Sequence, residues 1–205
     1  MLQRRNKMSV SIDDIRKLKE LSGIGLTDAK AALVEANGDF DIALAELRKK
    51  GITKAEKKGD REARQGLIDS YVHNGRIGVL VEVNCETDFV ARTDNFKTFV
   101  HEIALQVASM SPLYVSEADI PANELKRVQD EAMERVKAEG KPIEIAKKIV
   151  EGQVKKYFAE KVLLEQDYIK NEKQTVNDFV KENISKTGEN LIIRQFKRIE
   201  LGFSE

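Results

Sequence analysis

At 205 residues the chain is long enough for one sizeable domain, or for a small and a medium one, without disulfides or metals to staple it. Lys plus Arg and Asp plus Glu both number 35, so the formal net charge is zero and the broad positive field of a nucleic-acid binder is missing; direct nucleic-acid contact is not expected. The lone Cys85 excludes an internal disulfide and a cysteine metal cluster, no apolar run reaches the roughly 18 residues of a membrane span, and Met1–Ser9 lacks a signal-peptide core, so we expect a soluble cytoplasmic protein with no membrane association.

Residues 11–51 read as three short helices forming a module of their own. Ser11 with Asp14 three residues on is a capping-box pattern, opening a helix with apolar positions Ile12, Ile15, Leu18 and Leu21. Ser22-Gly23-Ile24-Gly25-Leu26 breaks it. Thr27 then caps a second helix carrying Ala29, Ala32, Leu33 and Ala36, which Asn37-Gly38 ends. Asp39 opens a third, burying Phe40, Ala43, Leu44 and Leu47 and stopping at Gly51. The Gly-Ile-Gly-Leu loop has two readings: a tight helix crossing, or an exposed apolar loop, Ile24 and Leu26, for docking another protein. The layout resembles three-helix modules of the ubiquitin-associated (UBA) type.

Residues 52–65, with Lys54, Glu56, Lys57, Lys58, Asp60, Arg61, Glu62 and Arg64, read as a charged linker; the alternative is a frayed continuation of the helix, since Ala, Glu and Lys favour helix, but one with no face to bury. A core from 66 to 205 follows. Gly66–Val72 is a strand, joined through His73-Asn74-Gly75-Arg76 to a second strand, Ile77–Cys85, because Asn-Gly between apolar runs is a hairpin signal. Ile77, Val79, Val81 and Val83 share one face of the second strand, and Cys85 reads as a small buried apolar residue. His73 and His101, the only histidines, have no partner at metal-ligand spacing and read as surface residues.

Where the alternation stops stands Asn84-Cys85-Glu86-Thr87-Asp88-Phe89-Val90. An Asp at a strand end ordinarily caps an amide, and the Phe after it is ordinarily core; the alternative is that this turn presents both to a partner. A helix begun by Thr93 or Asp94 turns Phe96, Phe99, Val100, Ile103, Ala104 and Val107 to one face, and Pro112 closes the region. Two long antiparallel helices follow. One runs from Pro121 to Gly140 with Leu125, Val128, Ala132 and Val136 inward; the other starts at Pro142 and buries Ala146, Ile149, Val150, Tyr157 and Phe158. Val162–Ile169 is extended or irregular. Thr175 and Asp178 repeat the capping-box spacing before a last helix that Gly188 ends. Leu191–Ile199 alternates apolar and basic residues and is a strand returning to the hairpin, with Ile192 and Phe196 on one side and Arg194 and Arg198 among their near neighbours; the basic residues read as a solvated sheet face rather than an RNA surface. The expected class is α+β: the three-helix module, the linker, and a three-stranded antiparallel sheet packed with helices that include a long helical hairpin.

Phosphate loops, dinucleotide fingerprints and the Gly-x-Ser-x-Gly elbow are all missing. With one Cys and two His, a nucleophile and base are hard to assemble, although paired carboxylates stay open. We expect no catalytic residue, cofactor or resident metal, and a function of contact with another macromolecule.

Three stretches together resemble one family, the translation elongation factor Ts proteins: Lys17–Leu33 continuing to Asp39 (KLKELSGIGLTDAKAAL…EANGD), Glu82–Ala91 (EVNCETDFVA) and Gly140–Gly152 (GKPIEIAKKIVEG). The resemblance implies a guanine-nucleotide exchange factor that binds the GDP form of elongation factor Tu and promotes GDP release. It further implies that Thr87, Asp88, Phe89 and Val90 reach the GTPase near its Mg2+ site, and that Lys19, Leu26 and Thr27 form the N-terminal contact. Gln106 aligns with a position where some members carry a His that acts on the GTPase's phosphate side; Gln keeps hydrogen-bonding capacity without a titratable ring. Longer members carry two related cores, whereas this chain has room for one, so the resemblance implies a homodimer and a 2:2 complex. A protein-binding adaptor or scaffold built on the three-helix module is the alternative from another class, and a carboxylate hydrolase a remote third.

Overall fold

The structure, a computed structural model, describes residues 10–22, 24–140 and 142–203; Met1–Ser9, Gly23 of the first loop and Lys141 of the third matching stretch lie outside the described residues. The chain is α+β, with a three-stranded antiparallel sheet, a separate two-stranded hairpin and helices on one face of the larger sheet.

Helices α1 (Ile12–Ser22), α2 (Leu26–Glu35) and α3 (Phe40–Glu56) bury Leu18, Ala29, Ala32, Leu33 and Ala43 among themselves. Asp39 caps α3, its carboxylate accepting from the Ile42 amide at 3.0 Å, and Asn37 and Gly38 take the left-handed conformation (φ 54° and 84°) that ends α2. Two expectations change here. The residue before α2 is Gly25, with no side-chain cap, so Thr27 lies inside the helix and does not start it. Nor does α3 stop at Gly51. Its backbone stays helical to Glu56, and the missing side chain serves a close approach: a Cβ at Gly51 would stand 3.2 Å from Ser185 Oγ. One turn further on, Ala55 is 2% exposed and belongs to the main core. The backbone of 52–56, expected in a solvated linker or a frayed helix with no face to bury, is therefore helical, and Ala55 docks it on the main core.

Strands β1 (Gln65–His73) and β2 (Ile77–Cys85) pair antiparallel from Gln65 opposite Cys85 to His73 opposite Ile77, across a turn with Asn74 and Gly75 at positive φ. Gly66 is obligatory, since a Cβ there would lie 2.2 Å from the Val83 carbonyl oxygen. Strand β5 (Ile192–Glu200) pairs with the other edge of β2, giving the order β1-β2-β5. The sequence pattern put Ile192 and Phe196 on one side of it; the structure buries Ile193 with Phe196 instead. Glu82 faces Gln195 while Val83 faces Ile193, so Arg194 is an extra residue, and this bulge shifts the alternation by one.

Short helix α4 (Asp88–Ala91) and long helix α5 (Asp94–Met110) come after β2. Phe96, Phe99, Val100, Ile103, Ala104 and Val107 of α5 pack on Val79, Val81, Val83 and Cys85. Helices α6 (Ala122–Ala138) and α7 (Ile143–Ala159) form the helical hairpin, burying Val128, Ala132, Val136, Ala146, Val150, Val154 and Phe158 in a second core. Gly140 turns left-handed between them (φ 72°), and Pro142 stands as the residue before α7. The segment expected to be extended or irregular is both: a 3-10 turn at Leu163–Glu165 and then β3 (Asp167–Tyr168), whose pairing with β4 (Asn171–Thr175) makes a hairpin not foreseen. Helix α8 (Val176–Thr187) opens with the predicted capping box, Thr175 Oγ1 accepting from the Asp178 amide and the Asp178 carboxylate from the Thr175 amide. No helix among the described residues is long and apolar enough to cross a membrane.

Candidate functional site

Strand β2 ends at Cys85, whose wholly buried thiol donates to the Thr87 carbonyl at 3.1 Å. Burial first, and the Glu189 carboxylate second, push that thiol up to about 11. Past it, the next two amides leave the sheet and turn to one carboxylate: Glu189 accepts from the Glu86 amide at 3.1 Å, the Thr87 amide at 3.0 Å and the Thr87 hydroxyl at 2.6 Å. Glu86 answers from the other side, accepting from the Asn190 amide at 2.7 Å and pairing with Arg61 at 3.6 Å. Asn190 Nδ2 in turn donates to the Gly59 and Arg61 carbonyls, at 3.2 and 2.7 Å. The stretch after α3, the turn after β2 and the turn after α8 thus meet in one polar knot.

On that base sits α4. Thr87, not Asp88, is its cap, with Oγ1 accepting from the Val90 amide at 3.4 Å. Val90 and Ala91 pack against the main core, which turns the preceding residues outward. Asp88 lies in the first turn, where a negative charge suits the helix N-terminus, and pairs with Arg92 at 2.9 Å. Phe89 is 80% exposed. The ordinary reading of the pair, Asp as cap and Phe as core, therefore does not hold. Thr93 closes the unit, donating to the Val90 carbonyl and accepting from the Phe96 amide to start α5.

The other nominated residues fall into two groups. Lys19 on α1, with Leu26 and Thr27 at the start of α2, are exposed on the N-terminal module; Leu26 is 51% exposed, while Ile24 beside it packs on the module's core. Gln106 behaves differently. It is 0% exposed, on the inner face of α5, donating to the Asp167 carbonyl (3.0 Å) and Gln166 Oε1 (3.3 Å) and accepting from the Ile169 amide (2.9 Å). Its polar atoms are bonded to the β3–β4 hairpin and its side chain lies inside the chain, unlike the exposed Lys19, Leu26 and Thr27. His73 and His101 lie at the surface, bonded to Tyr71 and Asp69 respectively. Among the described residues no group of His, Cys, Asp and Glu could hold a metal ion.

Glu189 and Asn190 escaped the sequence reading. A polar pair after a helix-ending glycine has no local signature beyond that of a loop, and only the return of β5 beside β2 brings them to residue 86. The sheet face turned away from the helices is a further feature: Ile68, Val72, Leu80 and Ile199 share it, and all are exposed. Glu82 lies among them, its carboxyl held below the usual range by hydrogen bonds from Gln195 and Asn84.

Comparison with known proteins matches residues 52–203 to the family described as "Elongation factor TS". Curated relatives include "Elongation factor Ts" of Thermoanaerobacter sp. (strain X514), 48% identical over 194 residues that cover 94% of this chain and 95% of that one. Another is "Elongation factor Ts" of Thermotoga sp. (strain RQ2), 49% identical over 196 residues, covering 95% and 98%. A third, of Geobacter sulfurreducens, is 47% identical over 196 residues, covering 95% and 91%.

Proposed function

The chain belongs to the elongation factor Ts family, and from that premise we propose that it accelerates GDP release from elongation factor Tu, so that GTP can bind, in the cytoplasmic elongation step of translation. The observation that carries this reading is the tip of α4: a large aromatic, 80% exposed, beside a carboxylate, both on a base fixed by packing and hydrogen bonds. Other large apolar side chains of the chain are exposed as well; what supports a contact role for this one is its place beside Asp88 on a short capped helix that the turn and the core hold in a fixed orientation.

The mechanism is one of contact. A nucleotide held through Mg2+ and a phosphate loop loses affinity when a partner favours the state lacking those contacts, and linkage requires the nucleotide to weaken the partner by the same factor. Thr87, Asp88, Phe89 and Val90 form the wedge in this reading: Phe89 inserts, Asp88 exchanges its Arg92 pair for groups near the GTPase's Mg2+ site, and Thr87 and Val90 hold the short helix to its mount. Lys19, Leu26 and Thr27 of the UBA-like module supply a second contact. Gln106 acts from beneath, holding the β3–β4 hairpin against α5. No covalent step, cofactor or resident metal is required. The exposed apolar face of the sheet supports a homodimer, and hence a 2:2 complex, since a second copy covers Ile68, Val72, Leu80 and Ile199 with the same residues of its own.

Release of a fluorescent GDP from elongation factor Tu, with and without the protein, tests the reading. Acceleration is expected, whereas an adaptor would bind and leave the rate unchanged. Asp88→Ala and Phe89→Ala should each slow release by roughly tenfold or more. The Phe89 variant should also unfold within about 0.5 kcal/mol of the parent, as expected for so exposed a side chain. Undiminished exchange in both variants sinks the wedge.

A further inference from the structure

We infer that Glu189 is a positioning residue for the Asp88–Phe89 tip, an inference that rests on reading the tip as the part that acts on the GTPase. The backbone leaves β2 at Cys85, and the amides of Glu86 and Thr87 find their acceptor in the Glu189 carboxylate. The same carboxylate takes the Thr87 hydroxyl, and Thr87 is the cap of α4. One side chain, 102 residues away in sequence from Thr87, therefore sets both the exit direction of the chain and the cap that starts the tip.

The reverse contact makes the mount two-sided. Glu86 holds the Asn190 amide as Glu189 holds the Thr87 amide, so each turn is tied by the acid of the other. With Glu189 removed, the Glu86 and Thr87 amides lose their acceptor while Val90 and Ala91 keep their anchorage, so the freed segment is the one carrying Asp88 and Phe89. A contact that works by displacing atoms in a partner tolerates little misplacement, and an ångström-scale error costs far more rate than binding.

The test uses the full-length protein and measures fluorescent GDP release from elongation factor Tu over a range of factor concentrations, separating the maximal rate from the half-saturating concentration. Glu189→Ala should lower the maximal rate by roughly tenfold while the half-saturating concentration moves by less than about threefold. Glu189→Gln, which keeps an oxygen for the two amides, should recover most of that loss. In an Asp88→Ala/Phe89→Ala background, Glu189→Ala should lower the rate by no more than about twofold further, because the groups it positions are already gone. If Glu189→Ala is unfolded at the assay temperature, Glu189→Asp, one methylene too short to span both amides, replaces it with the same expected losses. A parental maximal rate in the Ala or Asp variant, no recovery with Gln, or a full tenfold loss in the Asp88→Ala/Phe89→Ala background would overturn the inference. When tip variants slow exchange and Glu189 variants do not, this inference alone fails; when tip variants are fully active, the wedge reading fails and takes this inference with it.

Discussion

Cys85 closes β2 with its side chain shut off from solvent, and its raised pKa has a direct thermodynamic consequence. The unfolded chain releases the thiol proton near the ordinary value of 9.0, while the folded chain keeps it until about 11. Below that window both states hold the proton; within it the unfolded state binds fewer, so stability falls as pH rises. Denaturation midpoints measured between about pH 9 and 11 should therefore fall more steeply for the parent than for Cys85→Ala, and equal slopes would show that the thiol titrates alike in both states. Its burial was legible from the alternating apolar pattern of β2. The exposure of Phe89 was not, because α4 has four residues, barely one helical turn, and shows no period from which to tell inside from outside.

Among the elements, α3 departs furthest from expectation. A glycine after an apolar stripe suits two different structures, a left-handed helix end and a site where another backbone comes close, and only the arrival of α8 decides between them. The buried Ala55 carries the second half of the helix. Ala55→Asp, which puts a carboxylate into the main core, should cost about 3 kcal/mol or more in urea unfolding, whereas a flexible linker would absorb the change without loss. The α5 face and the α8 capping box were readable because each is a local, periodic or paired signal within one segment. Strand β5 was readable as a strand but not in its facing, since the bulge at Arg194 is set by the register on β2, more than 100 residues earlier in the chain. The polar Asn171–Thr175 showed no strand alternation at all, and its pairing with β3 is held from outside by Gln106.

For the molecule as a whole the formal charge is balanced, so the proposed pairing of two copies rests on an apolar face rather than on net charge. The outward sheet face is the apolar one nearest to hand. Leu80 sits at its centre, 54% exposed in the single chain, and Leu80→Lys should leave folding intact while light scattering reports a monomer where the parent gives a dimer. A parent that scatters as a monomer at micromolar concentration removes the 2:2 assembly. The unbroken α3 also acts as a rotary coupling. Each residue of an α-helix rotates its successor by about 100° and advances it about 1.5 Å, so the half of α3 docked on α8 fixes the azimuth of Lys19 and Leu26, the proposed second contact, relative to Phe89, the proposed first. One alanine inserted after Lys49 should swing the module out of phase and weaken binding, while four, about one full turn, should bring most of it back. A tether would register only length, and recovery at four residues but not at one is the mark of a shaft.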